Sequence, residues 1–201
     1  LVVLAADREG YAGLCGLITR GRRVADKGSY HLVRADFEQL PAGCRVLWLP
    51  PEVPAPGDAR WLNAHFPGRA WLAVELHADG DEPQRCARLL AFADAHCIPA
   101  VAAGDVHMHA RGRRAVQDTL AAIRRRLPLG SGAAGLHANG ERHLRSLAEL
   151  GRIYPDRLLD ATLEIAAGLN FSLDELRYQY PHELVPPGHT PNSWLRHRAL
   201  Q

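Results

Sequence analysis

Three potential metal ligands lie two residues apart, directly after a short apolar run. Asp105, His107 and His109 follow residues 99–103, whose composition predicts a buried β-strand. If the strand continues through them, their side chains share one face, because side chains alternate along a strand. Carboxylates and imidazoles at a strand end can hold a metal ion or activate a water molecule. A polar strand exit with solvated histidines fits the same residues, so the spacing alone leaves both interpretations open.

A second polar strand end comes from the preceding predicted strand. Glu75 and His77 close the apolar run at residues 70–77. In α/β folds the functional groups collect at the carboxyl ends of the strands, so we expect His77 to approach Asp105 and His107. Zinc and manganese both accept imidazole and carboxylate ligands, but a hydrolytic site needs more ligands than these. The residues therefore predict at most part of a metal site.

Apolar runs and helical periodicity alternate over the first two-thirds of the chain. Strands are predicted at residues 1–6, 44–49, 70–77 and 99–103. Helices are predicted between them, at residues 11–19 (with Gly28 closing the element), 58–66 and 86–97. Near-continuous apolar strands separated by helices favour an α/β fold, either a parallel sheet or a barrel with both faces covered.

The pattern changes after residue 112. Val116, Leu120, Ile123 and Leu127 mark a helix, a small-residue loop follows at 130–135, and helical stretches return at 144–150 and 156–167. Within the polar segment 136–143, Asn139-Gly140 predicts a turn and Glu141 and Arg142 are placed to pair locally, although a binding role is the alternative. The tail, residues 171–201, is rich in aromatic residues and proline and is expected to be extended.

The basic residues are clustered although the net charge is only +2. One cluster comprises Arg20, Arg22 and Arg23; the other spans residues 111–126, with no lysine and with Asp118 as its single acid. Solvated helix faces explain such clusters, and so does a surface that meets a phosphate backbone. On the second interpretation the residues that face nucleic acid are Arg111, Arg113, Arg114, Arg124 and Arg125.

Cysteine usage and hydropathy indicate the cellular context. The four cysteines are widely spaced and form no Cys-x-x-Cys pair, which predicts reduced thiols rather than a disulfide framework or a zinc knuckle. No apolar run reaches the length of a membrane span, and no secretory leader precedes the first predicted strand. These features predict a cytoplasmic protein with no membrane partner.

Several phrases along the chain together resemble one family. They include Leu-Ala-Ala-Asp-Arg-Glu-Gly-Tyr at 4–11, Gly-Asp-Val-His-Met-His at 104–109 and Asn-Gly-Glu-Arg-His-Leu at 139–144. Further phrases lie at 17–23, 113–120, 171–178 and 180–184. The combination is similar to the error-prone, ImuC-like subgroup of the bacterial DnaE class of DNA polymerases, and it runs from near one end of the chain to near the other.

The resemblance implies a fold and a division into domains. Members of this family begin with a PHP domain, a distorted (β/α)7 barrel with a metal-binding cleft, and continue to a polymerase palm. Residues 1–127 would be the C-terminal part of that barrel, and residues 128–201 a mainly helical and extended junction leading towards the palm. A barrel that lacks its first strands leaves an open edge, so we expect the chain alone to be marginally stable.

The resemblance also implies roles for individual residues. Asp105 and His107 fall on the family's Asp-x-His metal motif, and His77 lies near another ligand position, whereas His109 matches the family without being a ligand. The family's first His-x-His motif would precede Leu1. The carboxylates of nucleotidyl transfer would follow Gln201, so no catalytic residue is assigned to this chain. The divalent metals implied are Mg²⁺ for the polymerase and Zn²⁺ or Mn²⁺ for the remaining PHP site.

The leading functional hypothesis is therefore a fragment of an error-prone, DNA-directed DNA polymerase that acts in DNA repair and translesion synthesis and is inactive by itself. Its partners would be primer–template DNA, deoxynucleotides and other translesion-synthesis proteins. Two alternatives stay open: a PHP-type, metal-dependent phosphoesterase and a non-catalytic interaction scaffold.

Overall fold

The structure, a computed structural model, describes residues 1–78, 80–126, 136–177 and 184–200. Leu127 and the small-residue loop predicted at 130–135 lie outside these ranges. The chain divides into two compact units, Leu1–Phe171 and Ser172–Gln201. The first unit continues past residue 127, and the proposed division into barrel and junction at that residue stays a prediction.

A four-stranded open sheet with the order β1-β2-β3-β4 organises the first unit. Its strands are β1 (Val2–Ala5), β2 (Cys44–Trp48), β3 (Ala70–Glu75) and β4 (Ala100–Ala103). The four strands predicted from apolar runs are confirmed, and so is the mixed α/β class. Strands β2, β3 and β4 are parallel, as expected for strands that are joined through helices.

The first strand departs from the expected parallel sheet, because β1 pairs with β2 antiparallel. The close approach of the two segments continues beyond the paired residues. Gly10 lies so close to Gly43 that a Cβ atom at Gly10 would be 2.1 Å from the Gly43 carbonyl oxygen. The Ala6 N–H also donates to that oxygen at 2.8 Å. The chain that leaves β1 therefore meets the start of β2, and apolar patterning alone carries no information about this direction.

Eight α-helices are present in the described ranges: α1 (Arg8–Arg23), α2 (Arg34–Phe37), α3 (Pro56–His65), α4 (Glu82–Ala95), α5 (Arg114–Arg125), α6 (Leu147–Ile153), α7 (Asp156–Ala167) and α8 (Pro191–Ala199). The prediction for α7 is confirmed at both ends, whereas α1 stops before Gly28. The tail is not simply extended, because Thr190 caps α8 and Pro191 occupies its first turn. Those local signals start a helix without apolar periodicity.

Both faces of the sheet are covered, which is why its central strands are almost wholly apolar. Leu72 and Val74 pack on one face with Leu62 of α3 and Leu89 of α4. Trp71 and Ala73 pack on the other face, where α7 contributes Ala161 and Ile165. Cys44 and Cys86 are buried free thiols, whereas Cys15 and Cys97 are exposed. Within the described ranges, no helix has the length and apolar character needed to cross a membrane.

Candidate functional site

Asp105 and His107 come together just beyond the carboxyl end of β4. The strand ends at Ala103, so it does not continue through Asp105, His107 and His109, and the shared face that such a continuation would give is not formed. Asp105 has a φ of +39°, a left-handed conformation that breaks the strand alternation. The resulting loop brings His107 Nε2 to 3.3 Å from Asp105 Oδ2. His109 is exposed and takes no part in this contact.

Arg142 is the third member of this group. Its guanidinium forms an ion pair with the same Asp105 oxygen, so the expected local pair between Glu141 and Arg142 is wrong. The Arg142 carbonyl oxygen accepts from the backbone N–H groups of His107, at 2.9 Å, and Met108, at 3.2 Å. A parallel bridge between Met108 and His143 extends this pairing. We call residues 139–145 the clamp segment, because they hold the loop after β4.

The clamp segment also holds the end of β3. The side-chain amide of Asn139 donates to the carbonyl oxygens of His77 and Ala78. Arg145, whose side chain is only 5% exposed, donates to the Leu76 carbonyl oxygen at 3.0 Å. Both strand ends at which functional groups were expected are therefore tied to one later segment of the chain.

Glu141 links two of the arginines around the clamp segment. Arg111 Nη2 lies 2.6 Å from Glu141 Oε1, and Arg145 Nη2 lies 3.5 Å from Glu141 Oε2. Because Glu141 is mostly buried, its charge needs these partners to offset the loss of solvation. Arg111 therefore compensates Glu141, while its side chain stays 71% exposed, and its expected contact with nucleic acid stays a prediction.

Tyr154 connects the ends of β3 and β4. Its hydroxyl donates to the Ala103 carbonyl oxygen at 2.8 Å and accepts from the Leu76 N–H at 3.2 Å. Burial raises the pKa of Tyr154 above its usual value. Sequence inspection missed this residue, and the signal available was weak: a tyrosine before Pro155 that interrupts the spacing between two predicted helices.

His77 is buried, with 6% exposure, and contacts the neighbouring strand end. Its Nε2 lies 3.0 Å from the Gly104 carbonyl oxygen. In that position the ring nitrogen acts as a hydrogen-bond donor rather than as a lone pair aimed at a metal. The structure thus places His77 beside the Asp105 loop, as expected, but with this nitrogen already engaged.

These donors do not fit a metal ion within the described part of the chain. Structural zinc sites use four protein ligands and catalytic zinc sites three. The described residues contain no cluster of three or more His, Cys, Asp and Glu side chains arranged to hold a metal. The cationic Arg142 already sits on Asp105, where it would oppose a second positive charge. The metal-ligating role of Asp105, His107 and His77 stays a prediction.

Burial and the crowded charges shift two titrations near the strand ends. The pKa of Glu75 is raised, first because the carboxyl is buried and second because Asp105 is nearby. The pKa of His137 is lowered, first by burial and then by the positive charges of Arg142 and His107. The ring of His137 lies against His107, with 4.8 Å between centroids.

The five arginines predicted to face nucleic acid fall into two groups. In the first group, Arg111 pairs with Glu141. Arg114 donates to the carbonyl oxygens of His137 and Ala138. The Nε atom of Arg114 also lies 3.4 Å from Asp118. Arg113, Arg124 and Arg125 are exposed, and no partner for them is found among the described residues. Their contact with nucleic acid stays a prediction.

Arg124 and Arg125 line a cavity of about 600 Å³ that we call the arginine cavity. It lies between α5 and the neighbouring rings of His107 and His137, and the polar side chains that line it include Asp118, Arg124 and Arg125. Two guanidinium groups and the imidazole of His137 in one concavity are donors suited to an oxyanion.

No family model matches the chain. The chain is similar along its length to curated proteins named "Error-prone DNA polymerase". It is 56% identical over 203 residues to the one from Pseudomonas aeruginosa, and that match covers 100% of this chain and 19% of the relative. Identity is 54% over 201 residues with Pseudomonas fluorescens and 50% over 209 residues with Dechloromonas aromatica, each covering 100% of this chain and 20% of the relative. The chain thus spans about a fifth of the length of these relatives.

Proposed function

We propose that the chain functions within a DNA-directed DNA polymerase, because it is homologous over its full length to one segment of the error-prone DNA polymerases. The observation that carries this proposal is sequence identity: at least half of the aligned positions are identical in relatives from two genera. Such an enzyme joins deoxynucleotides to a primer on a template, with the divalent-metal chemistry of nucleotidyl transfer. The relatives are named error-prone DNA polymerases, and we propose synthesis across damaged templates during DNA repair as the setting.

Within that enzyme we propose that the sheet contributes to a distorted (β/α)7 barrel of the PHP type. The support is the run of parallel strands β2, β3 and β4 joined through α3 and α4, which is the repeating unit of such a barrel. Residues 1–127 would belong to the barrel and residues 128–201 to the junction with the polymerase palm.

We assign a scaffold role to the clamp segment rather than a phosphoesterase role. Its Arg142 pairs with Asp105, one of the groups that a hydrolytic metal centre would need. A rigid edge of the barrel would instead fix the position of α5 relative to the rest of the polymerase. No residue of this chain is assigned to the nucleotidyl-transfer step.

The exposed arginines of α5 are proposed to meet the DNA backbone. Arg113, Arg124 and Arg125 carry this role, because their charges are not compensated by described acids. Phosphate contacts of this kind supply affinity without reading sequence, and they weaken as salt rises. A polymerase needs that type of contact, because it must bind every template.

Primer extension tests the proposed function. The polymerase that contains this segment should extend a labelled primer in the presence of Mg²⁺ and deoxynucleotides, on both intact and lesion-containing templates, whereas the 201-residue chain alone should give no extension. A preparation of the whole polymerase that is folded and binds DNA, yet incorporates no nucleotide on either template, would contradict the proposal.

A further inference from the structure

We propose that the arginine cavity binds one phosphate group of a nucleic-acid backbone. This inference rests on the proposed function and deepens it, because it replaces a general basic surface with a defined site. The resemblance places His107 on a metal motif, but it assigns no phosphate to this cavity. The site is built from the last turn of α5 on one side and from His107 and His137 on the other.

The two arginines provide the charge of the site. Both are exposed on the last turn of α5 and both line the cavity. Cations at a helix C-terminus are favourable by themselves, so their position in sequence is explained without a ligand. The helix dipole does not explain the histidines across the cavity, and those make the concavity a site. A guanidinium can donate two parallel hydrogen bonds to phosphate oxygens.

His137 provides a donor. His107 directs Nε2 towards Asp105 and supports the His137 ring, whose centroid lies 4.8 Å away at a tilt of 43°. Neither nitrogen of His137 has a hydrogen-bond partner in the described ranges. A partly buried imidazole without a partner gains when a ligand accepts its N–H group. Phosphate is such an acceptor.

The charge balance of the cavity favours an anion. Asp118 is the one acid that lines it, and Arg114 already compensates that carboxylate at 3.4 Å. The two charges of Arg124 and Arg125 are therefore in excess. A concave surface with excess positive charge concentrates the field and attracts phosphate.

A backbone phosphodiester is the source that fits best. The homologous enzymes are DNA polymerases by name, and the exposed Arg124 and Arg125 can contact a chain that continues past the bound phosphate. Free inorganic phosphate offers the same oxygens. The experiment must therefore separate the two sources.

Binding measurements on the full chain test the site. The probes are a fluorescein-labelled 12-nucleotide single strand, followed by anisotropy, and inorganic phosphate as competitor, both at pH 8. Arg124→Ala/Arg125→Ala is expected to weaken oligonucleotide binding by about tenfold and to lower the salt slope by about 0.7, the value for one single-strand phosphate. His137→Ala, which changes no charge at pH 8, is expected to weaken binding by about threefold.

The matched control is Arg8→Ala/Arg60→Ala, which removes two exposed arginines from α1 and α3. Equal losses in the control and in Arg124→Ala/Arg125→Ala would overturn the site, and so would an unchanged affinity of His137→Ala. Inorganic phosphate that binds while the oligonucleotide does not would overturn the backbone as its source. Thermal melting of each variant confirms that it is folded.

Failure of this proposal is distinguishable from failure of the proposed function. Primer extension by the whole polymerase that survives Arg124→Ala/Arg125→Ala at unchanged template affinity overturns the phosphate site and leaves the polymerase function intact. If the full chain binds the oligonucleotide through this site and the whole polymerase incorporates no nucleotide, the function is overturned instead.

Discussion

The same residue type has opposite surroundings in two neighbouring regions of this molecule. In the clamp segment, Arg142 and Arg145 are held by Asp105, Glu141 and a strand carbonyl. In the arginine cavity, Arg124 and Arg125 face solvent with no described partner. The first pair maintains the fold, and the second pair is available to a ligand.

This difference shows why clustering of charge is a poor guide to function by itself. Residues 111–126 appear as one basic stretch in the sequence. In the structure, Arg111 and Arg114 are paired although they are exposed, because an acid or a carbonyl lies within reach of each. Partners that are distant in sequence decide which arginines remain available to a ligand.

The largest expected effect on stability is that of Arg145→Ala. The substitution removes the hydrogen bond to the Leu76 carbonyl oxygen and one partner of the mostly buried Glu141. We expect a loss of about 2–3 kcal/mol in the free energy of unfolding, since Arg111 still compensates Glu141. Urea denaturation measures it. Arg124→Ala, the matched change in the other region, should stay within about 0.5 kcal/mol; equal effects would remove the distinction between the two regions.

A smaller loss is expected for Tyr154→Phe. Removing the hydroxyl leaves the Ala103 carbonyl and the Leu76 N–H without their partner, and each lies in the buried edge of the sheet. We expect a loss of about 1–2 kcal/mol, measured by the same denaturation. The control is Tyr11→Phe, which keeps the ring stack on Phe171. A Tyr154→Phe protein as stable as that control would mean that Tyr154 does not hold the two strand ends together.

The central elements of the fold could be predicted from the sequence. Apolar runs marked β2, β3 and β4 because both faces of the sheet are covered, and the spacing of apolar residues marked α7 to the residue. The antiparallel direction of β1 could not be predicted, because apolar patterning marks a strand without giving the direction in which it pairs. Helix α8 was missed because its signal is the cap at Thr190 rather than apolar periodicity.

The candidate site was only partly predictable. The meeting of Asp105 with His107 followed from their spacing, and the approach of His77 followed from the rule that parallel strands end at one edge. Arg142 and Tyr154 could not be found in this way, because each reaches the edge from 37 or more residues away from the groups it holds. Contacts of that length depend on how the chain returns after α5, and local patterns do not record it.

Addition of a metal ion tests whether the ends of β3 and β4 can still bind one. With Arg142 on Asp105, we expect no change in the melting temperature of the chain when Mn²⁺ or Zn²⁺ is added. A bound ion at one hundred times its dissociation constant would stabilise the protein by about 2.7 kcal/mol, which a thermal melt detects easily. Stabilisation that disappears in Asp105→Ala but persists in Asp81→Ala would instead support the predicted metal site. The exposed Asp81 is a fair control, because it also pairs with an arginine.

The smallest expected effect is a pH dependence that comes from Glu75. Burial, together with the charge of Asp105, raises the pKa of Glu75 in the folded protein above its unfolded value. The folded state therefore binds this proton more tightly, and the stabilising contribution is complete below the unfolded pKa and is lost as the pH rises through the folded pKa. Glu75→Gln should remove this loss and raise the melting temperature at pH 7 by about 1–2 °C, with little change at pH 4. The exposed Glu164, at which no such burial occurs, provides the control variant Glu164→Gln. If the melting temperature at pH 7 rises equally in both variants, the surroundings of Glu75 do not destabilise its carboxylate.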